Sequence, residues 1–376
     1  MPYESCFEAR AKLAIFGLLA LAGLTLGWNK GRPPERDSSA PVTAASNDNI
    51  SPDLALYSEV ITEVRAGRNY YEVAREKIPS YGFPIGSPLN WRLPTYAWTL
   101  SCLRCGGQIQ LLLIGLSILA LGLTFAAHCR TSSVGIAALA TFLLFGVVRW
   151  AIDGYAYLAQ EPWAATLMLI SLAAGSLGGS SQSRSVGWRS LSVAAGVAAL
   201  LFRELALPHC AAACLLAAWN RRWVETAAWA AGIALFFAFF AWHVGQVKAQ
   251  LAGTEVAASA GLAQWLRFGG LDFVLLTTRL NSLLFAAPAC LLWLYLVLAL
   301  IGLGRGKDET SQIACLASLG YLLAYAVIGR PENFYWGLLP APLMAWGFAQ
   351  APRALFEMVA AAGLLQSRDQ SSRSVG

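Results

Sequence analysis

Polar and apolar positions along this chain fall into long blocks rather than short alternations. Apolar runs cover approximately 12–28, 108–127, 133–150, 162–179, 190–205, 206–219, 224–242, 283–304, 311–328 and 334–349. Most approach the ~20 residues that carry a helix across a bilayer, so ten membrane spans are expected. The run 190–219 is interrupted by Arg203, Glu204 and Pro208. It reads either as two short helices meeting at a turn or as one kinked span. A secretory signal would share the layout of the first run, but no small-x-small cleavage site follows, and an uncleaved helix is expected. The apolar piece 353–365 is too short to span and is expected along the membrane surface. The fold class is therefore all-α: a polytopic transmembrane helical bundle forming a single integral-membrane domain over 1–376.

Composition strengthens this picture. The 376 residues are 57% hydrophobic and 13% charged, against about 25% charged in soluble domains. The net charge of +6 does not point to nucleic acid, because the basic residues are spread between apolar blocks, where they set orientation. With both termini cytoplasmic, Arg10, Lys12, Arg130, Arg184, Arg189, Arg221, Arg222, Arg305, Lys307 and Arg353 all fall inside. The short outside connections then carry Asp153, Glu161 and Glu204. Counting 190–219 as two spans keeps that alternation consistent. The eight cysteines are scattered, mostly within apolar runs, and read as buried hydrophobes rather than a disulfide framework.

Between the spans, 29–50, 180–190 and the cytoplasmic tail 366–376 are polar and are expected to be flexible. The loop 243–282, with His243, Lys248, Arg267, Asp272 and Arg279, reads as a second long external loop with a solvated surface. The stretch 51–94 is different: it reads as a structured first external loop. Ser51 suits an N-cap, Pro52 the first helical position and Gly67 the stop. Leu54, Tyr57, Ile61 and Val64 line one face, as in an amphipathic helix at a membrane surface. From Tyr81 to Thr95, three prolines and two glycines exclude a regular element. Interleaved aromatic rings imply a packed loop.

Asp53, in the first turn of that helix, has two readings. It complements the helix dipole, or it is a carboxylate held at the lipid interface to deprotonate a hydroxyl. Other charged residues beside spans are candidates for function by default. Glu161 precedes Pro162, which is also an ordinary helix start. Arg203 could bind a lipid phosphate or stabilise its turn, and Arg330 could bind phosphate or snorkel to the interface. His209, Cys210 and Cys214 lack a fourth ligand and read as packing, and Cys102-Leu103-Arg104-Cys105 is a lone CxxC at the membrane edge.

The order Asp53, Tyr57, Gly67, Tyr70-Tyr71 and Arg92-Leu93-Pro94-Thr95 before a span resembles the first external loop of GT-C glycosyltransferases. It is most similar to bacterial polyprenyl-phosphate-mannose-type mannosyltransferases and related uncharacterised membrane proteins. Leu-Pro-Thr stands where that family has Tyr-Pro-Pro, and Asp53 stands alone where many relatives have two adjacent acids. The resemblance implies a GT-C-like bundle in the bacterial inner membrane. Such an enzyme moves a sugar from a polyprenyl-phosphate donor to a hydroxyl of a glycan, lipid or protein acceptor on the external face. It further implies Asp53 as base, Arg203 and Arg330 on phosphate, and Glu161 in acceptor binding. Tyr57, Trp91 and Trp336 would stack on sugar or line the prenyl groove. No metal is demanded by this chemistry, and a divalent ion is left open. A transporter or lipid-handling protein, and a GT-C-fold scaffold without catalysis, are the competing classes.

Overall fold

The structure, a computed structural model, describes residues 6–24, 50–179, 182–252, 267–306 and 308–362. Fourteen α-helices follow one another among them. They are α1 (Cys6–Leu24), α2 (Pro52–Arg65), α3 (Tyr70–Ser80), α4 (Pro94–Ser101), α5 (Gly106–Thr131), α6 (Val134–Val148) and α7 (Gln160–Leu177). Then come α8 (Gln182–Phe202), α9 (Leu207–Trp219), α10 (Trp223–Leu251), α11 (Gly270–Thr278), α12 (Ala289–Arg305), α13 (Glu309–Val327) and α14 (Ala341–Ala361). No strand occurs among the described residues.

Each of the ten expected spans overlaps an α-helix, some with shifted ends. Four helical stretches, Gly106–Thr131, Val134–Ile152, Trp223–Leu251 and Glu309–Val327, are long and apolar enough to cross a membrane. The run 190–219 is two helices, α8 and α9, meeting at Arg203, whose extended backbone ends the first. Between Phe202 and Leu207 the chain turns through one 3₁₀ turn, Glu204–Ala206.

Three expectations are corrected. The piece 353–365 does not lie apart: α14 runs unbroken through Pro352 to Ala361, while 334–340, expected within the tenth span, belongs largely to a 3₁₀ segment, Pro331–Leu338. Helix α8 already begins at Gln182, within a stretch expected to be flexible. The loop 243–282 is not a solvated surface where it is described. Helix α10 extends to Leu251, α11 buries Phe273, Val274, Leu275 and Leu276, and His243 and Arg279 are buried. The segments expected to be flexible at 29–49 and 366–376 lie outside the described residues.

Two cores result. The larger is built by the bundle from aliphatic and small residues of α5–α14. Its closest approach is α12 against α14, where a Cβ on Gly302 would collide with the backbone carbonyl of Gly347. Small residues at such crossings let backbones touch and gain dispersion where lipid supplies no hydrophobic drive. The second core belongs to the segment 50–103. There α2, α3 and α4 enclose Leu56, Ile61, Tyr70, Tyr71, Trp91 and Tyr96 and rest on the ends of α5 and α10. Helix α2 starts after Ser51 as expected, although the Ser51 side chain makes no capping bond. Gly67 ends the turn beyond it with φ +91°, a conformation open to glycine at little cost.

Candidate functional site

The polar cluster forms where the loop core meets the bundle. Helix α7 begins at Gln160-Glu161, and the break between α8 and α9 puts Arg203 opposite it. Arg203 Nε lies 2.8 Å from Glu161 Oε1, and its Nη1 donates to Glu204 Oε1 at 2.8 Å. Arg203 is 1% exposed and Glu161 3%. One guanidinium is thus held between two carboxylates in a dry setting. Arg203, expected to bind phosphate, and Glu161, expected in acceptor binding, are thus paired with each other, and the pair joins α7 to the α8–α9 turn.

Arg92, quoted in the sequence only as part of a motif, occupies the more available position. It sits half-buried at the start of α4, directly before Leu93-Pro94. Its Nε donates to the Tyr57 hydroxyl at 2.9 Å and its Nη2 to the Tyr335 hydroxyl at 3.3 Å. The guanidinium carbon also stands 5.8 Å from the centre of the Tyr57 ring, within cation–π range. Two neutral hydroxyls leave its charge uncompensated at contact distance, and three of its five N–H groups without a protein partner among the described residues. Tyr57 is edge-on to Tyr96 at 6.3 Å.

Asp53 lies within the field of this group. Burial raises its carboxyl above the ordinary range, Arg92 pulls it down, and Glu161 raises it again. Asp53, Arg92 and Glu161 therefore share one electrostatic environment, although they come from α2, the α4 start and α7. Desolvation combined with a specific charge partner marks a candidate functional group. Beside the cluster, a small cavity is lined by the loop-core residues Leu56, Val60, Ala74 and Ile78 together with Tyr57, Arg92 and Gln160.

The remaining expected residues fare differently. Arg330 opens the 3₁₀ segment that also carries Tyr335. Its Nε is buried without a hydrogen-bond partner among the described residues, but no contact joins it to Asp53, Glu161 or Arg203 there. Trp91 is corrected from a stacking surface to loop core. It is 2% exposed and its Nε1 donates to the Ile85 carbonyl at 2.8 Å. Trp336 is likewise bundle core, its ring edge-on to Phe273 and its carbonyl accepting from the Tyr325 hydroxyl at 2.8 Å. His209 bonds Ser171 Oγ at 3.0 Å and Cys210 donates to the Gly196 carbonyl at 3.3 Å, both as packing groups. Cys102 and Cys105 are free thiols. Among the described residues no three His, Cys, Asp or Glu side chains gather as a metal-binding group.

Neither a known family model nor a curated protein matches this sequence. Solved structures do. ArnT from Cupriavidus metallidurans bound to undecaprenyl phosphate matches with a TM-score of 0.53 at 14% identity, over 94% of this chain and 63% of that one. The apo state of the same protein gives 0.48 at 15% identity, over 94% and 62%. The likeness shows a shared fold. This chain spans a little under two thirds of ArnT, and four of its helical stretches are long and apolar enough to cross a membrane.

Proposed function

We propose that this protein is a membrane glycosyltransferase that moves a sugar from a polyprenyl-phosphate donor to an acceptor hydroxyl at the external membrane face. The observation that carries the reading is the shared environment of Asp53 and Arg92, a tuned carboxylate opposite an uncompensated arginine on a GT-C fold. The ArnT structure was obtained with undecaprenyl phosphate, which supports a lipid phosphate as the donor's carrier.

The chemistry follows from the charges. The acceptor oxygen attacks the anomeric carbon while Asp53 takes its proton, so the nucleophile gains charge as it needs it. The bond from that carbon to the phosphate oxygen breaks, and its electron pair leaves on polyprenyl phosphate. Arg92 faces the phosphate and stabilises the charge that develops there, an effect strengthened where water is excluded. Arg330 is a second phosphate ligand reached through the 3₁₀ segment. Tyr57 fixes the plane of Arg92, and the Glu161–Arg203–Glu204 set holds the α8–α9 turn beneath it. The N-terminus and C-terminus are cytoplasmic in this arrangement, in a bacterial inner membrane.

The test uses proteoliposomes supplied with polyprenyl-phosphate-linked sugars and a mixed pool of hydroxyl acceptors. Release of polyprenyl phosphate that Asp53→Asn abolishes is the expected result. Equal release from the parent and Asp53→Asn removes Asp53 from the mechanism. No release from the parent with any donor, while undecaprenyl phosphate still binds, turns the assignment to a lipid-handling scaffold.

A further inference from the structure

The Tyr70-Tyr71 pair stands out in the sequence, yet neither hydroxyl touches the catalytic groups. Both instead act on the backbone that presents Arg92. The Tyr70 hydroxyl donates to the Arg92 carbonyl. The Tyr71 hydroxyl meets His243 Nδ1 at 3.0 Å, and His243 Nε2 meets the Trp91 carbonyl at 3.2 Å. A carbonyl has no proton to give, so Nε2 carries the hydrogen and Nδ1 is the lone pair that accepts from Tyr71. One neutral imidazole satisfies both partners. His243 belongs to α10, a membrane-spanning helix, and is 0% exposed.

We propose that Tyr70, Tyr71 and His243 form a relay that anchors the Trp91–Arg92 backbone to the end of α10 and so fixes where the Arg92 guanidinium is presented. Two consecutive carbonyls are gripped, one from α3 directly and one from α10 through the imidazole. That matters because 81–93 holds only a three-residue 3₁₀ turn, Pro88–Asn90, and no α-helix, so little local hydrogen bonding restrains Arg92. Ring contacts complete the grip. Tyr71 is edge-on to Trp242 at 5.8 Å and packs against Trp91 at 6.4 Å. Asn69 caps α3 by accepting from the Tyr71 N–H at 2.9 Å, which fixes where that helix starts. All three relay residues are positioning residues, since none reaches the face of Arg92 left open to ligand.

The inference rests on the reading of Arg92 as the lipid-phosphate ligand, and the experiment separates the two. Full-length purified protein is titrated with undecaprenyl phosphate, and amide hydrogen exchange is followed across residues 89–93. His243→Ala should weaken binding about tenfold, as one lost buried hydrogen bond pair allows, and should speed exchange across 89–93. His243→Gln offers an oxygen to Tyr71 and an N–H to the Trp91 carbonyl, and should restore affinity to within about twofold. Tyr71→Phe should fall between them. Unchanged affinity in folded His243→Ala with unchanged exchange at 89–93 would overturn the relay, as would equal losses in the Ala and Gln variants. If Arg92→Gln binds the lipid as well as the parent does, the phosphate role of Arg92 fails. The relay then stands or falls on exchange at 89–93 alone.

Discussion

The two ends of the helical bundle treat charge differently. At the end away from Asp53, where α7 finishes and α8, α10 and α13 begin, arginines and carboxylates neutralise one another. Arg189 and Arg222 both contact Glu225 at 3.1 Å, Arg222 also contacts Glu309, and Glu357 takes Arg305 and, at 3.2 Å, Arg353. At the other end Arg203 is neutralised in the same way, but Arg92 and Asp53 are not: neither has an ion-pair partner within 4 Å among the described residues. Paired charges fasten helix ends. Charges held apart in a common low-dielectric pocket keep their capacity for a ligand, at a cost in stability that the surrounding packing must offset.

The largest expected effect breaks the open end. Asp53→Asn should cut sugar transfer by about 10²–10⁴-fold, the usual worth of a positioned base, with the melting temperature of the purified protein almost unchanged. A rate within twofold of the parent would place Asp53 among the structural charges. Next comes the strut. Glu161→Ala leaves Arg203 buried with Glu204 alone and should destabilise the fold by about 3–5 kcal/mol, read as a loss of thermal stability in detergent. An unchanged melting curve would mean that Glu204 suffices.

Arg92→Gln should weaken undecaprenyl phosphate binding by about 1.5–3 kcal/mol, the range of a hydrogen bond to a charged group, while stability changes little. The same variant sharpens the comparison through pH. Asp53 must be ionised to act as base, and its carboxyl is raised mainly by burial, so transfer should rise with pH and level off above the ordinary carboxylate range. Removing Arg92 removes the influence that lowers this group, so the half-maximal point should move to higher pH. Glu161→Gln should move it lower. Movement of both in one direction would disprove the shared field. The smallest effect belongs to the opposite end: Arg305→Ala should cost no more than about 1 kcal/mol, as exposed pairs do, and should leave transfer untouched.

The spans, the break at Arg203 and the start of α2 were legible because their causes are local. Apolar block length, a proline at the first helical position and a glycine at φ +91° all act within a few residues. The amphipathic face of α2 was readable for the same reason, though the buried side is centred on Ala55, Leu56, Val60 and Ile61, a position round from the expected stripe. The solvated reading of 243–282 failed because α11 is short and its burial comes from the helices it packs on. A lone arginine in an aromatic loop just before a span is the local signal for Arg92, but its availability depends on Tyr57 and Tyr335, which are distant in the chain.

The chain's own pattern therefore determined a helical membrane bundle, the approximate place of its spans and the structured stretch 51–94. Only tertiary structure decided which charges are available. Glu161 and Arg203 are 42 positions apart, and Arg92 meets Tyr335 across 243. Whether an arginine ends beside carboxylates or beside hydroxyls depends on how distant helices pack, and no local spacing encodes it. That packing made Arg203 a strut and left Arg92 open.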